Sequence, residues 1–293
     1  MKKTPVIIVI ICLTVVILAG TIGCSKKIVN TSVNTSKPVI LIAAFGSSME
    51  SGEKNLADAD KMIREKFPEN EIRWAFTAQF IIDKLKKAGK TTYFDRKIPI
   101  QNVEEVYAQL IAEGKTNIVV QCLHTMVGAE FRQVLNTPTK GLNVKYGYPL
   151  LFNPENIQNT VIALSDNFGD PSNTATILCA HGNEAHPEDN AQLIEMDKYL
   201  RSNYKNTFLA CVEGPPEFEG VLENVLNSGV TSVKFVPLLF TYGDHMSNDV
   251  MGDEPDSWKI QIGLPATAAD AMGSNPKIIE MFIKQIKSVL SQF

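Results

Sequence analysis

Three side chains able to bind a divalent ion recur at one interval: His181, Glu213 and His245 follow one another in steps of 32 residues. Two imidazoles and a carboxylate suit borderline first-row ions such as Co²⁺, Ni²⁺, Fe²⁺ or Zn²⁺ better than Mg²⁺ or Ca²⁺. A neutral imidazole also accepts protons near neutral pH. One βα unit takes about 30 residues, so equal steps of this size return the chain to the same edge of a parallel sheet. Each residue follows an apolar strand-like run, over 174–180, 207–212 and 232–240. Open α/β sheets bind ligands beyond the carboxyl ends of such strands. Taken singly, each has a plain reading: a histidine bonded within its loop, or a glutamate capping the helix after Pro215 and Pro216. Spacing alone leaves both readings open.

The elements that must position these residues alternate between strand and helix. Apolar runs at 38–45 (PVILIAAF), 71–77, 117–123 (NIVVQCL) and 142–148 read as buried strands, with helices at 54–67, 78–88, 103–113 and 154–167. Residues 89–101 read as a polar loop. The pattern restarts at 174–180 (TATILCA), with helices at 189–203, 217–227 and 276–293. The last carries Ile278, Ile279, Phe282, Ile283, Ile286, Val289 and Leu290 on one face. The halves resemble diverged copies. Ala44-Phe45-Gly46 stands where Ala180-His181-Gly182 stands, and Gly128-Ala129-Glu130 where Gly243-Asp244-His245 stands. A duplicated βα array predicts two similar lobes, residues 38–153 and 154–293, each a doubly wound parallel sheet flanked by helices, with a cleft between them.

The chain starts outside this pattern. Lys2 and Lys3 precede an apolar run over 6–19, and Gly20-Thr21-Ile22-Gly23 leads into Cys24. That order predicts a signal peptide over 1–23, and the stretch resembles a bacterial lipobox with Thr21 where leucine is commonest. Cys24 is then the lipid-modified first residue, and 24–37, rich in Ser, Thr, Asn and Lys, a flexible tether. The expected location is extracytoplasmic, at a membrane surface. From Cys24 onward the chain has 26 basic and 32 acidic residues, about −6, with no basic block, which argues against nucleic acid as a partner. Cys122, Cys179 and Cys211 sit in strand-like runs and read as small buried hydrophobes rather than a disulfide framework. Alternation places Cys179 and Cys211 on the strand faces of His181 and Glu213, beneath the candidate site.

The local sequences narrow the chemistry. Residues 180–187 (AHGNEAHP), 212–214 (VEG) and 243–249 (GDHMSND), followed by Met251-Gly252-Asp253 and Asp256-Ser257-Trp258, resemble the sirohydrochlorin cobaltochelatases of the anaerobic cobalamin pathway. So do Phe45-Gly46-Ser47-Ser48, Ala75-Phe76-Thr77 and residues 123–131 (LHTMVGAEF). The resemblance runs from about Pro38 to the C-terminus. It implies a chelatase-like fold and insertion of Co²⁺ into sirohydrochlorin with release of two protons. It makes His181, Glu213 and His245 metal ligands, with His181 and Glu213 catalytic and His181 the proton acceptor. It implies no bound organic cofactor. His124, Glu130 and Tyr242 are expected to meet the substrate, the small residues 263–266 to wall the ring pocket, and His186, before Pro187, to lie in a surface loop. No lysine or arginine can be assigned to the substrate carboxylates. The same ligand set admits Fe²⁺ or Ni²⁺. Two other classes fit parts of the pattern: an exported haem, tetrapyrrole or metal-binding lipoprotein serving uptake, and a zinc hydrolase, which lacks a His-Glu-x-x-His helix. A homo-oligomer is left open.

Overall fold

A computed structural model describes residues 37–293. The segments expected to form a signal peptide, a lipidated Cys24 and a tether lie outside the described residues as far as residue 36. The first half runs β1 (Val39–Ala44), α1 (Glu50–Lys66), β2 (Ile72–Phe76), α2 (Gln79–Lys87), β3 (Thr92–Tyr93), β4 (Ile98–Pro99), α3 (Val103–Ala112), β5 (Asn117–Cys122), α4 (Ala129–Asn136), β6 (Asn143–Gly147) and α5 (Glu155–Leu164). The second runs β7 (Thr174–Gly182), α6 (Ala191–Asn203), β8 (Thr207–Glu213), α7 (Phe218–Asn227), β9 (Ser232–Pro237), α8 (Trp258–Ile262), β10 (Ala266–Ala268) and α9 (Pro276–Leu290).

The strands form two four-stranded parallel sheets, ordered β2-β1-β5-β6 and β8-β7-β9-β10. Each sheet thus winds outward in both directions from its first strand, the α/β architecture expected from the alternation. β1 and β7 are central, and their unbroken apolar character follows from burial on both faces. One core joins the inner faces of both sheets (Ile40, Ile42, Leu178, Leu209) through α1, α2, α5, α6 and α9. The outer face of the first sheet packs on α3 and α4, and that of the second on α7 and α8.

The helix borders follow local chemistry. Asn102 and Glu105 close a capping box at the start of α3, and Asn275 caps α9 with Pro276 in its first turn. The segment read as a polar loop, 89–101, holds the short hairpin β3–β4. Its Tyr93 is fully buried, accepts the Ser47 N–H at 3.0 Å and donates to the Ser47 carbonyl, which fixes the turn after β1. α4, α8 and β10 are further elements that periodicity did not indicate, because each is short.

Candidate active site

The two halves repeat not only their strand order but the bonds at their carboxyl edges. Leu123 N donates to Ala43 O at 2.8 Å, and Leu238 N donates to Cys179 O at the same distance. Gly46 and Gly182 both have positive φ, +98° and +76°. This register makes Phe45 the counterpart of His181, as the sequence comparison placed them. Between the two edges lies a cavity of about 730 Å³, within the usual range of small-molecule sites. All four histidines of the chain line it: His124, His181, His186 and His245. Glu130, Glu213 and Asp244 line it as well, and none of the described lining residues is a lysine or arginine. Phe45, Phe80, Ile81, Met126, Phe131 and Leu239 supply apolar wall.

His181 stands at the end of β7 and His245 in the turn after β9, with ring centroids 4.7 Å apart and planes 89° to one another. In both rings Nδ1 is occupied. His181 Nδ1 lies 2.8 Å from Gly182 O, and His245 Nδ1 lies 2.7 Å from Asp249 Oδ2. Both acceptors favour the Nδ1–H tautomer, in which Nε2 of the neutral ring carries the free lone pair. Asp249 reaches His245 as its i, i+4 neighbour across a helical turn, whose residues Met246–Val250 are π-helical. Met246 and Val250 anchor that turn in the outer core, and Gly252 is required beside it, since a Cβ there would lie 2.1 Å from Asn248 O. Ser257 holds the Gly252 carbonyl at 2.8 Å and caps α8, whose Trp258 stacks on Phe218 at 4.5 Å. The distinctive residues around His245 are therefore largely the packing that shapes its turn.

Glu213 is placed differently. The register pairs Gly182 with Glu213, Ala180 with Cys211 and Cys179 with Ala210. Cys179 belongs to the outer core and Cys211 to the central one, so the two cysteines lie on opposite faces of the sheet. By the same alternation His181 and Glu213 start from opposite faces. This corrects the expectation that both cysteines lie together beneath one site. Glu213 is exposed at the strand end and lines the cavity without joining the imidazoles. No group of three His, Cys, Asp or Glu side chains stands ready to hold an ion among the described residues.

On the opposite wall, His124 Nε2 lies 3.0 Å from Thr77 Oγ1, and its buried Nδ1 has no partner. Burial pushes this imidazole down to about 4, so it is neutral at physiological pH. Glu130, at the start of α4, corresponds in sequence to His245 and also lines the cavity. His186 lies at the mouth, its N–H donating to Asn183 Oδ1 at 2.9 Å. Tyr242 does not line the cavity. It packs against the outer core, while its N–H donates to Asn55 Oδ1 at 2.8 Å and its carbonyl accepts from Ser51 Oγ at 2.7 Å. Residues 263–266 are likewise outside the wall, because they lead into the edge strand β10.

Sequence reasoning missed the link that spans the mouth. Arg132 on α4 grips Asp189 with two bonds, 3.0 and 2.6 Å, and Asn183 Nδ2 adds a third to the same carboxylate at 3.1 Å. The Arg132 hydrogen bonds hold the Asp189 carboxyl below its usual range. No short-range signal joins residues 57 positions apart.

Two curated relatives that match most of the chain carry the same activity in their names. The chain is 27% identical over 265 residues to a sirohydrochlorin cobaltochelatase of Salmonella typhimurium, covering 87% of this chain and 97% of that protein. It is 27% identical over 235 residues to the sirohydrochlorin cobaltochelatase CbiKC of Nitratidesulfovibrio vulgaris, covering 78% and 80%. The fold resembles that of SirB from Bacillus subtilis with Fe³⁺, with TM-score 0.59 at 13% identity, covering 87% and 96%. The model of one family, cobalt chelatase (CbiK), matches residues 38–291. Since that match takes in both sheets and every lining residue of the cavity, the chain belongs to the cobalt chelatase (CbiK) family, and it is a metal chelatase.

Proposed function

We propose that the protein inserts Co²⁺ into sirohydrochlorin in the cavity between the two sheets, with His181, Glu213 and His245 as ligands to the incoming ion. The observation that carries this is the His181–His245 pair, with both Nδ1 atoms occupied, in a cavity walled by carboxylates without a cation. Two bare Nε2 atoms attract a first-row divalent ion, and the negative wall draws cations from solution. Metallation replaces two pyrrole N–H protons by one divalent ion, so two protons must leave. His181 takes up one of them once its nitrogen has released the ion to the ring, because one lone pair cannot serve both at once, and the other passes to solvent through the mouth. Glu213 completes the ligand set by turning in from the strand end, where nothing pins its side chain. His124 and Glu130 shape the opposite wall against the tetrapyrrole. With no lysine or arginine lining the cavity among the described residues, the peripheral carboxylates of the substrate point out through the mouth.

The test is metallation itself. The protein is incubated anaerobically with sirohydrochlorin and Co²⁺, Fe²⁺ or Ni²⁺, and the absorbance of the metallated ring is followed. Turnover with Co²⁺ that disappears in His181→Ala is expected. Tight tetrapyrrole binding without metallation would favour the other reading that the leader supports, a surface protein that binds haem, a tetrapyrrole or metal for uptake. Cys24 is proposed to carry a lipid that holds the enzyme at an extracytoplasmic membrane surface. Labelling with a radioactive fatty acid, lost in Cys24→Ser, checks that anchor.

A further inference from the structure

The two histidines facing the cavity are held by unlike partners. His181 leans on a neutral carbonyl of its own neighbour, Gly182. His245 leans on a carboxylate, Asp249, its i, i+4 neighbour on the turn that runs into the π-helical residues. Among the described residues Asp249 has no lysine or arginine partner; its only ion-pair partner is His245. The turn is not free to drift, since Met246 and Val250 are fully buried at its two ends. Asp244, one residue before the histidine, is tied separately, accepting from Asn248 Nδ2 at 2.9 Å. The acidic residues of this segment therefore divide their work, and Asp249 is the one directed at the imidazole.

We infer that Asp249 is a positioning residue for metal delivery: it holds His245 as the Nδ1–H tautomer, with Nε2 directed at the ion. The inference rests on the proposed role of His245 as a ligand. Carboxylates behind ligating imidazoles fix ring orientation and strengthen the donor nitrogen. The difference between the partners assigns unequal parts to the two rings. His245, oriented by a charged acceptor on a buried turn, is the standing ligand. His181, held by a neutral carbonyl, is the one that lets go of the ion when the ring nitrogens take it.

The test uses the full chain in detergent and two readouts. With four histidines, ring ¹⁵N resonances can be assigned one at a time by substitution. In the metal-free wild type, His245 should show a protonated Nδ1 and a bare Nε2. Asp249→Ala should admit the Nε2–H tautomer, weaken binding of Co²⁺ alone by about 10- to 100-fold, and lower kcat for metallation by a similar factor. The KM for sirohydrochlorin and the melting temperature should stay unchanged. Asp249→Asn, which keeps an acceptor oxygen, should fall between the two. Unchanged tautomer and Co²⁺ affinity in Asp249→Ala would overturn the proposal. So would a fall in melting temperature with an unchanged tautomer, which marks a purely structural bond. If wild type fails to metallate sirohydrochlorin, the functional reading fails, while the tautomer and Co²⁺ binding still decide the part played by Asp249.

Discussion

A Cβ built on Gly182 would lie 2.0 Å from the carbonyl oxygen of Glu213. The residue between His181 and the loop of the cavity mouth therefore lets β8 approach β7 closely, and its φ of +76° is one that side chains rarely adopt. Two candidate ligands on neighbouring strands thus depend on the absence of a side chain between them.

Gly182→Ala should cost about 1–3 kcal/mol from backbone strain alone, with more from the displaced carbonyl. Chemical denaturation measures the loss. Metallation should fall further than the folded fraction does, because the end of β8 carrying Glu213 must move.

The clamp between Arg132 and Asp189 should hold the cavity mouth. Arg132→Ala and Asp189→Ala should each destabilise, and a double-mutant cycle should give a coupling of about 1 kcal/mol, since the guanidinium is partly solvated. Asp189 has a lowered folded pKa, so the coupling is present above the ordinary carboxylate range and lost as pH falls through the folded value. Equal coupling at pH 7 and pH 2.5 would contradict this.

His124 should make stability depend on pH. Its folded pKa of about 4 lies below the unfolded value of about 6.5, so the unfolded chain takes up the proton first. The contribution is complete above about 6.5 and is lost as pH falls toward 4, by no more than about 3 kcal/mol, because the residue keeps some exposure to the cavity. Melting curves should show His124→Gln flattening this part of the pH profile relative to wild type.

His245→Ala should lower the affinity for Co²⁺ alone more than His181→Ala does, while both abolish turnover. Isothermal titration with Co²⁺ compares them directly. A larger binding loss in His181→Ala would reverse the order of standing and releasing ligand.

Much of the fold is legible because its signals are long. The runs at 38–45, 117–123 and 174–180 are apolar on both faces, and a strand buried between helices must be so. The 32-residue interval carried His181 and His245 to one edge for the same reason. What stayed hidden depended on single residues at element ends. The orientation of Glu213 turns on strand parity, which the offset register of β7 and β8 determines and composition does not record. The hairpin carrying Tyr93 lies in a polar stretch, where one buried phenol among charged neighbours gives no period. Tyr242 was misplaced because its neighbours Thr241 and Gly243 line the cavity while its own side chain turns to the other core. The π-helical turn is invisible for a related reason: Met246 and Val250 are spaced as in any α-helical turn.

The matching corners of the two halves, Phe45 against His181 and Glu130 against His245, give the cavity a front and a back. A gene doubled without divergence would present the same groups above and below a flat guest, and either side of the ring would serve. On the proposed reading, a guest lying between the sheets has one face toward His181 and His245 and the other toward Phe45, Glu130 and a neutral His124. On that reading the ion comes from the side of His181 and His245, and the wall behind the ring is the one that holds Phe45, His124 and Glu130. Such an enzyme distinguishes the top of its substrate from the bottom, although the metal finally sits in the plane between them.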